Sequence, residues 1–327
     1  MSLTRPLHVR AVTRALSRRL ALLALNVPAL LLVFAPPLRA QSAAGEVRLN
    51  VTVTDGKGRY LVGLGRPHFA VLEGKVAREI TAFEGVDVPA SVGILVDVSG
   101  SMTRHGDEVR LALNRFVLRG HPETEYFIAE FNTQGRLLTD WTRDPARLEG
   151  AIRELGATLG RTRTQGNTAL YDALNSALAR LTRGEHAKQV LLVVTDGQDN
   201  QSRTTFRELR RQIQESDALV YGLAPVYIGN PGALDIGGQA LLDELATQSG
   251  GRAYFPEGRK QVVAAAEWIA AELRHQYVVG FAPGEAAAGA AEPKWRRIKI
   301  SVAPPWEEVK SVKVRSRDGY FFPRAAR

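Results

Sequence analysis

A carboxylate and two hydroxyls follow one short apolar segment of the sequence at alternating positions. The segment Gly93–Val96 predicts a buried strand, and Asp97, Ser99 and Ser101 come directly after it. Small oxygen ligands on a tight loop suit a hard divalent cation, which takes six oxygens at about 2.0–2.2 Å and keeps some water. The spacing therefore indicates a cation site. We expect Mg²⁺, with Mn²⁺ or Ca²⁺ as the alternatives.

Two later stretches of the sequence offer further oxygen ligands. Thr168 lies just before a helical pattern that begins at Leu170, and Asp196 follows the apolar run Leu191–Thr195. In an open α/β sheet, ligands bind outside the carboxyl ends of the strands, so these side chains are expected to meet at one edge. Helix and turn capping would explain Asp97 and the serines, but it does not account for the two later residues.

In this order, the five residues resemble the metal-ion-dependent adhesion site of von Willebrand factor A-type domains. The family pattern is Asp-x-Ser-x-Ser, then a Thr, then an Asp, and every position is filled without substitution. The resemblance implies that Ser99, Ser101 and Thr168 contact the cation through their hydroxyls. It places Asp97 and Asp196 close to the cation, directly or through water, and leaves one position for a carboxylate of a partner protein.

Three other residues are candidates for a rim that contacts the partner. His105 lies near the first loop, and Asp199 and Asn200 follow Asp196 in the third stretch, although solvated loop positions are the commoner setting for such residues. Asp172 falls in the first turn of the helix after Thr168, where a carboxylate favours the positive end of the helix dipole.

The sequence lacks the patterns of a zinc site, a phosphate-binding loop and a nucleophile elbow. The six histidines lack the spacing of a zinc site, and neither a phosphate-binding GxxxxGK[ST] loop nor a GxSxG nucleophile elbow occurs. The chain has no cysteine, which excludes disulfides and thiolate metal sites.

Strands and helices alternate over residues 89–276, which predicts a doubly wound, mostly parallel α/β sheet. The resemblance given above implies that this sheet is of the von Willebrand factor A type. The expected strands lie at 91–96, 125–131, 190–195, 218–224 and 252–255, with an antiparallel edge strand at 136–141. Apolar residues with helical spacing predict helices over 109–117, 170–181 and 262–273.

The segments on either side of this domain, 41–88 and 277–327, have β patterns. Val51–Gly74 and the ending from Gln276 to Tyr320 resemble the flanks of exported bacterial VWFA-related domain proteins. Each flank alone offers few strands, so we predict that the two pack together as one small β module. An Ala/Gly-rich linker is expected at 284–292.

Residues 1–40 have the layout of a signal peptide. They contain six arginines and no acidic residue, and an apolar stretch from Leu20 to Ala35 precedes a cleavage end at Leu38-Arg39-Ala40. Retention as an uncleaved anchor and export by the twin-arginine route are the alternatives. We expect an exported protein of the periplasm, envelope or exterior, with no transmembrane span in the mature chain.

Removal of this leader lowers the formal net charge from +9 to +3, which argues against a nucleic-acid partner. The sequence favours a non-enzymatic, metal-dependent protein-binding module, because neutral hydroxyl ligands leave a bound cation able to attract an outside carboxylate. A metal-assisted hydrolase of the envelope is the alternative. It needs a general base near the metal, and none is evident.

Overall fold

The computed structural model describes residues 46–161, 167–226, 233–284, 294–306, 309 and 311–322. The predicted leader at 1–40 and residues 285–292 of the predicted linker lie outside these residues. Within the described ranges, every helix is too short or too polar to cross a membrane.

The described elements alternate as the sequence predicts in the middle of the chain and are all β at its two ends. The strands are β1 (Val47–Asp55), β2 (Phe69–Glu73), β3 (Val76–Arg78), β4 (Ile80–Glu84), β5 (Ser91–Asp97), β6 (Glu125–Phe131), β7 (Gly135–Thr142), β8 (Gln189–Val194), β9 (Leu219–Leu223), β10 (Arg252–Tyr254), β11 (Gln276–Phe281), β12 (Lys294–Val302), β13 (Val312–Arg315) and β14 (Gly319–Phe322). The helices are α1 (Gly106–Arg119), α2 (Pro145–Arg161), α3 (Leu170–Leu181), α4 (Phe206–Glu215), α5 (Ala233–Ser249) and α6 (Gly258–Arg274).

A six-stranded sheet forms the centre of the α/β domain, in the order β10-β9-β8-β5-β6-β7. All neighbouring strands are parallel except β7, which runs antiparallel to β6 at the edge. The strand β5 is buried at all seven positions because helices cover both faces of the sheet. The predicted fold class is confirmed, including the antiparallel edge strand.

Each face of this sheet has its own apolar core. Side chains such as Ile94 and Val96 face α1, α2 and α6, whereas their neighbour Leu95 faces α3, α4 and α5. This alternation follows from the period of two along a strand. The carboxyl ends of β5 and β8 are adjacent, with Val96 paired to Val194, so the loops that follow these two strands must meet.

The two flanks form a β module of two four-stranded sheets, in the orders β13-β1-β11-β4 and β14-β12-β2-β3. Strands from the amino-terminal flank pair with strands from the carboxyl-terminal flank in both sheets, as β1 does with β11 and β2 does with β12. One apolar core, with Val51, Val71 and Ile300 among its members, lies between the sheets. The predicted association of the flanks in one module is therefore confirmed.

Two chain segments join the α/β domain to the β module, and an ion pair ties them together. Arg274, the last residue of α6, donates to both carboxylate oxygens of Asp87 at 2.6 and 2.8 Å. Asp87 adopts a positive φ of 64° and lies between β4 and β5. The helix α6 thus passes into β11 next to the connection that leads into β5.

Candidate metal site

The loop after β5 is held by the carboxylate of Asp97, which is fully buried. Its Oδ1 accepts a hydrogen bond from the backbone N–H of Ser99 at 2.8 Å, and its Oδ2 accepts one from the hydroxyl of Thr195 at 2.7 Å. Val98 continues the link to β6 by donating to the carbonyl of Phe131 at 2.8 Å. Asp97 therefore joins the first loop to the end of β8.

Burial raises the pKa of Asp97 to about 6, although hydrogen bonds from Ser99 and Thr195 act in the opposite direction. The negative charge of Asp196 acts in the same direction on the pKa of Asp97. A positive charge beside the pair would relieve both the repulsion and the cost of burial.

The hydroxyls of Ser99 and Ser101 lie side by side on the first loop. Their Oγ atoms are 3.1 Å apart. Ser99 precedes a 3-10 turn, Gly100–His105, yet its side chain makes no capping hydrogen bond to that turn. Two ligands at about 2.1 Å from one octahedral cation and at right angles to each other are about 3.0 Å apart. The spacing of the two hydroxyls therefore suits neighbouring positions on one small cation.

Asp196 is the second residue after the end of β8, and its two carboxylate oxygens differ in their partners. Oδ1 accepts a hydrogen bond from the backbone N–H of Gln198 at 3.1 Å. Oδ2 is buried and has no hydrogen-bond partner within the described part of the chain. A buried carboxylate oxygen without a partner is costly, so this atom is the best evidence for a ligand at this edge. Gly197 turns the backbone away at once, with a φ of +85°.

Thr168 is buried at the start of α3 and is tied to the loop after β8 by its backbone. Its N–H donates to the side-chain carbonyl of Asn200 at 2.8 Å, and its C=O accepts from the N–H groups of Asn200 and Gln201 at 3.0 and 3.1 Å. Ala169, the residue directly before α3, lacks a side-chain cap. The backbone of Thr168 is thus held at this edge, and the cap position of the helix belongs to Ala169.

The three predicted rim residues all have partners within the protein. His105 pairs with Glu108 one turn along the chain, at 3.0 Å. Asn200 holds Thr168 as described above, and Asp199 accepts from the N–H of Tyr171 in the first turn of α3 at 3.2 Å. Asp199 and Asn200 therefore order the loop after β8, while their contact with a partner protein stays a prediction.

Asp172 lies in the first turn of α3, as its position predicts, and it also contacts a neighbouring loop. Its carboxylate accepts hydrogen bonds from the backbone N–H groups of Arg203 and Thr204, both at 2.9 Å. The bonds from Thr204 and Arg203 lower the pKa of Asp172. This side chain fixes the loop between β8 and α4.

The five predicted metal ligands fit a hard cation by the chemistry of their atoms. They comprise two carboxylates and three hydroxyls at the carboxyl edge of β5 and β8, and one oxygen of the Asp196 carboxylate is buried without a partner among the described residues. The described ranges contain no group of three or more His, Asp or Glu that could hold a metal ion. This agrees with the proposed set, in which three of the five ligands are hydroxyls and only two are carboxylates. Oxygen ligands of this kind suit Mg²⁺ better than a soft metal.

Sequence reasoning missed Thr195, which links both strands of the site. It donates to Asp97 and accepts from the N–H of Gly197 at 3.1 Å. The sequence does contain a sign of this role. Thr195 is a hydroxyl residue at the end of an otherwise aliphatic run, which is unusual for a fully buried strand.

Comparisons with known proteins agree with the fold. Residues 92–198 match the family model of the von Willebrand factor type A domain. A search of curated proteins finds no match.

Three solved structures illustrate the similarity. An aerotolerance-related membrane protein from Bacteroides fragilis has 18% identity and a TM-score of 0.44, over 57% of this chain and 98% of that chain. A von Willebrand factor type A protein from Catenulispora acidiphila has 12% identity and a TM-score of 0.46, over 84% and 73%. Proximal thread matrix protein 1 from the mussel byssus, with a zinc-occupied MIDAS motif, has 16% identity and a TM-score of 0.45, over 58% and 46%.

Proposed function

We propose that this chain, which carries a von Willebrand factor type A domain, is an exported protein-binding module that uses a divalent cation to bind an acidic side chain of a partner. The observation that carries the proposal is the unpaired, buried Oδ2 of Asp196, at the edge where Ser99 and Ser101 place two hydroxyls 3.1 Å apart. A bound cation would supply a position that attracts a carboxylate from outside.

The residues of the site divide into those that contact the cation and those that hold them in place. We assign contact to the hydroxyls of Ser99, Ser101 and Thr168 and to Oδ2 of Asp196. Both oxygens of Asp97 already accept hydrogen bonds from the protein, so this residue acts by its charge and by fixing the loop. Neutral hydroxyls neutralise little of the cation's charge, which leaves it attractive to an anionic partner.

The cellular setting belongs to the same proposal. The basic and apolar layout of residues 1–40 supports export, and the modest net charge of the remainder supports a protein partner over nucleic acid. We therefore place the module in the periplasm, the envelope or the exterior, with Mg²⁺ as the expected cation.

Calorimetry and affinity capture together test this function. The protein is purified from the envelope fraction and titrated with Mg²⁺, and envelope extract is passed over it with Mg²⁺ or with EDTA. We expect Mg²⁺-dependent capture of a partner, and a loss of at least tenfold in Mg²⁺ affinity for Ser99→Ala and Thr168→Ala. Linkage requires the partner to raise Mg²⁺ affinity by the factor by which Mg²⁺ raises partner affinity.

Ser176→Ala is the matched control, because Ser176 is an exposed residue of α3 whose hydroxyl, among the described residues, donates to the carbonyl of Asp172 in the same helix. It should bind Mg²⁺ as the wild type does. Equal capture of the partner with Mg²⁺, with EDTA and by Thr168→Ala would contradict the proposal. Hydrolysis of phosphoesters or peptides that Ser99→Ala abolishes would instead favour the hydrolase.

A further inference from the structure

A backbone contact joins α5 to the turn that carries Asp196. Gly238, in the second turn of α5, is buried against the backbone of Asp196 and Gly197. A Cβ atom on Gly238 would overlap the carbonyl oxygen of Asp196 and lie 2.8 Å from the carbonyl carbon of Gly197. In the other direction, a Cβ on Gly197 would overlap the carbonyl of Gly238. Only a pair of glycines permits this approach.

The turn held by this contact leads directly into the candidate metal site. Gly197 donates to the hydroxyl of Thr195 at 3.1 Å, and Thr195 donates to Asp97 at 2.7 Å. On the other side of the turn, Gln198 fixes Oδ1 of Asp196 at 3.1 Å. A shift of the turn by a few tenths of an ångström would therefore displace the hydrogen-bond partners of both carboxylates of the site.

From this geometry we infer that Gly238 is a positioning residue for the cation site, acting through the turn Asp196–Gly197. The inference rests on the proposed cation binding. It adds a residue that affects the geometry of the site although it lies outside the loops that carry the ligands. Because α5 packs on β9 and β10 through Leu242 and Ala246, the helix presents Gly238 as a rigid support. The position of α5 thereby sets the position of the unpaired Oδ2.

Gly237 provides a matched control one residue away. It lies in the same helix and is exposed, and a Cβ atom on it would meet nothing within 4 Å. Gly237→Ala and Gly238→Ala thus add the same methyl group to the same helix turn, but only the second presses on the turn at Asp196. Any effect of helix propensity on its own appears in both variants.

Two measurements on the full chain decide the inference, with Mg²⁺ alone as the probe. In calorimetric titration, Gly238→Ala should bind Mg²⁺ at least tenfold more weakly than wild type, and Gly237→Ala within twofold of it. In the metal-free protein, the amide of Gln198 should exchange at least tenfold faster in Gly238→Ala than in Gly237→Ala. The amide of Val190 in β8 should be unchanged and reports that the sheet is intact.

The outcomes separate this inference from the proposed function. Equal Mg²⁺ affinity and equal Gln198 exchange in the two variants would overturn the positioning role. Absence of Mg²⁺ binding by the wild type would overturn the proposed function, and the Gln198 amide would then decide the inference alone. If Gly238→Ala does not fold, Leu242→Ala, which loosens α5 without adding atoms at the turn, takes its place in both measurements.

Discussion

Two settings of buried carboxylates in this protein differ in the partners that they provide. At the carboxyl edge of the six-stranded sheet, Asp97 and Asp196 lie close together among hydroxyls and backbone N–H groups. In the β module, Glu73 is also buried, though less completely than Asp97, and is surrounded by donors with positive charge. The first pair has no cation from the described residues among its hydrogen-bond partners, whereas the second carboxylate has two.

Four residues of the protein donate hydrogen bonds to the carboxylate of Glu73. Arg78 donates to its Oε2 at 2.6 Å, Arg296 donates to its Oε1 at 2.8 Å, the hydroxyl of Tyr320 donates to Oε1, and the N–H of Gly284 donates to Oε2 at 3.1 Å. Burial acts to raise the pKa of Glu73, but these hydrogen bonds outweigh it and lower the pKa to about 2.

The contrast separates a structural carboxylate from one that is available to a ligand. Burial raises the pKa of Asp97 to about 6, because its hydrogen bonds do not compensate for its lost hydration and for the charge of Asp196. Two arginines compensate the negative charge of Glu73 within the fold, whereas the described hydrogen-bond partners of Asp97 and Asp196 are uncharged. A cation from solution would therefore be stabilised more at this pair than at Glu73.

The largest expected effect is at the satisfied carboxylate. Glu73→Gln leaves Arg78 and Arg296 without their anion and sets an amide N–H₂ against donors, so we expect the free energy of unfolding to fall by about 3 kcal/mol. Urea unfolding measures it. Glu79→Gln, at a side chain that is 86% exposed and 3.7 Å from Arg66, is the control and should cost under about 0.5 kcal/mol. If Glu73→Gln also lowered the free energy of unfolding by under about 0.5 kcal/mol, Glu73 would not be the structural carboxylate that the comparison with Asp97 requires.

The same carboxylate predicts a pH dependence. Its folded-state pKa of about 2 lies below its ordinary value of 4.5, so its contribution is present above pH 4.5 and is lost as the pH falls through 4.5 towards 2. The gap in unfolding free energy between wild type and Glu73→Gln should shrink by about 2 kcal/mol between pH 6 and pH 3. Urea unfolding at a series of pH values tests this, and a constant gap would be the contrary result.

At the unsatisfied pair, the corresponding isosteric change should separate stability from binding. Asp97→Asn keeps an acceptor for the N–H of Ser99 and removes a buried charge, so we expect the unfolding free energy of the metal-free protein to change by under about 1 kcal/mol. Its Mg²⁺ affinity should fall at least tenfold, as calorimetry can measure. A loss of stability as large as that of Glu73→Gln would show that Asp97 is primarily structural.

The smallest effect is expected at the predicted rim. His105 pairs with Glu108 in the adjoining helix and lies outside the set of hydroxyl ligands. His105→Ala should therefore leave the Mg²⁺ affinity within twofold of the wild type. A tenfold loss in the same titration would mean that this histidine belongs to the site itself.

Much of the α/β domain could be predicted from the sequence because its signals are local. Apolar runs such as Leu191–Val194 identify buried strands, and the Asp-x-Ser-x-Ser spacing requires no knowledge of distant residues. The helical spacing of apolar residues predicts bounds for three helices only, and α2, α4 and α5 are not among them. Carboxyl ends of parallel strands share one edge, so the approximate location of the site followed as well.

The β module shows the limit of this reasoning. Alternating patterns identified its strands, yet β11 proved to be an inner strand between β1 and β4, far from either in sequence. Strand pairing depends on which surfaces meet after the chain has folded back, and a period of two is the same for every possible neighbour.

The sequence by itself determined which residue types reach the candidate site, because Asp97, Ser99, Ser101, Thr168 and Asp196 are fixed by their place after strands and before a helix. Only the tertiary structure decided which of their atoms are engaged. Thr195 takes one oxygen of Asp97, Asn200 holds the backbone of Thr168, and Gly238 supports the turn at Asp196. Each is a contact between residues more than 30 positions apart, and such contacts depend on packing between elements rather than on local pattern.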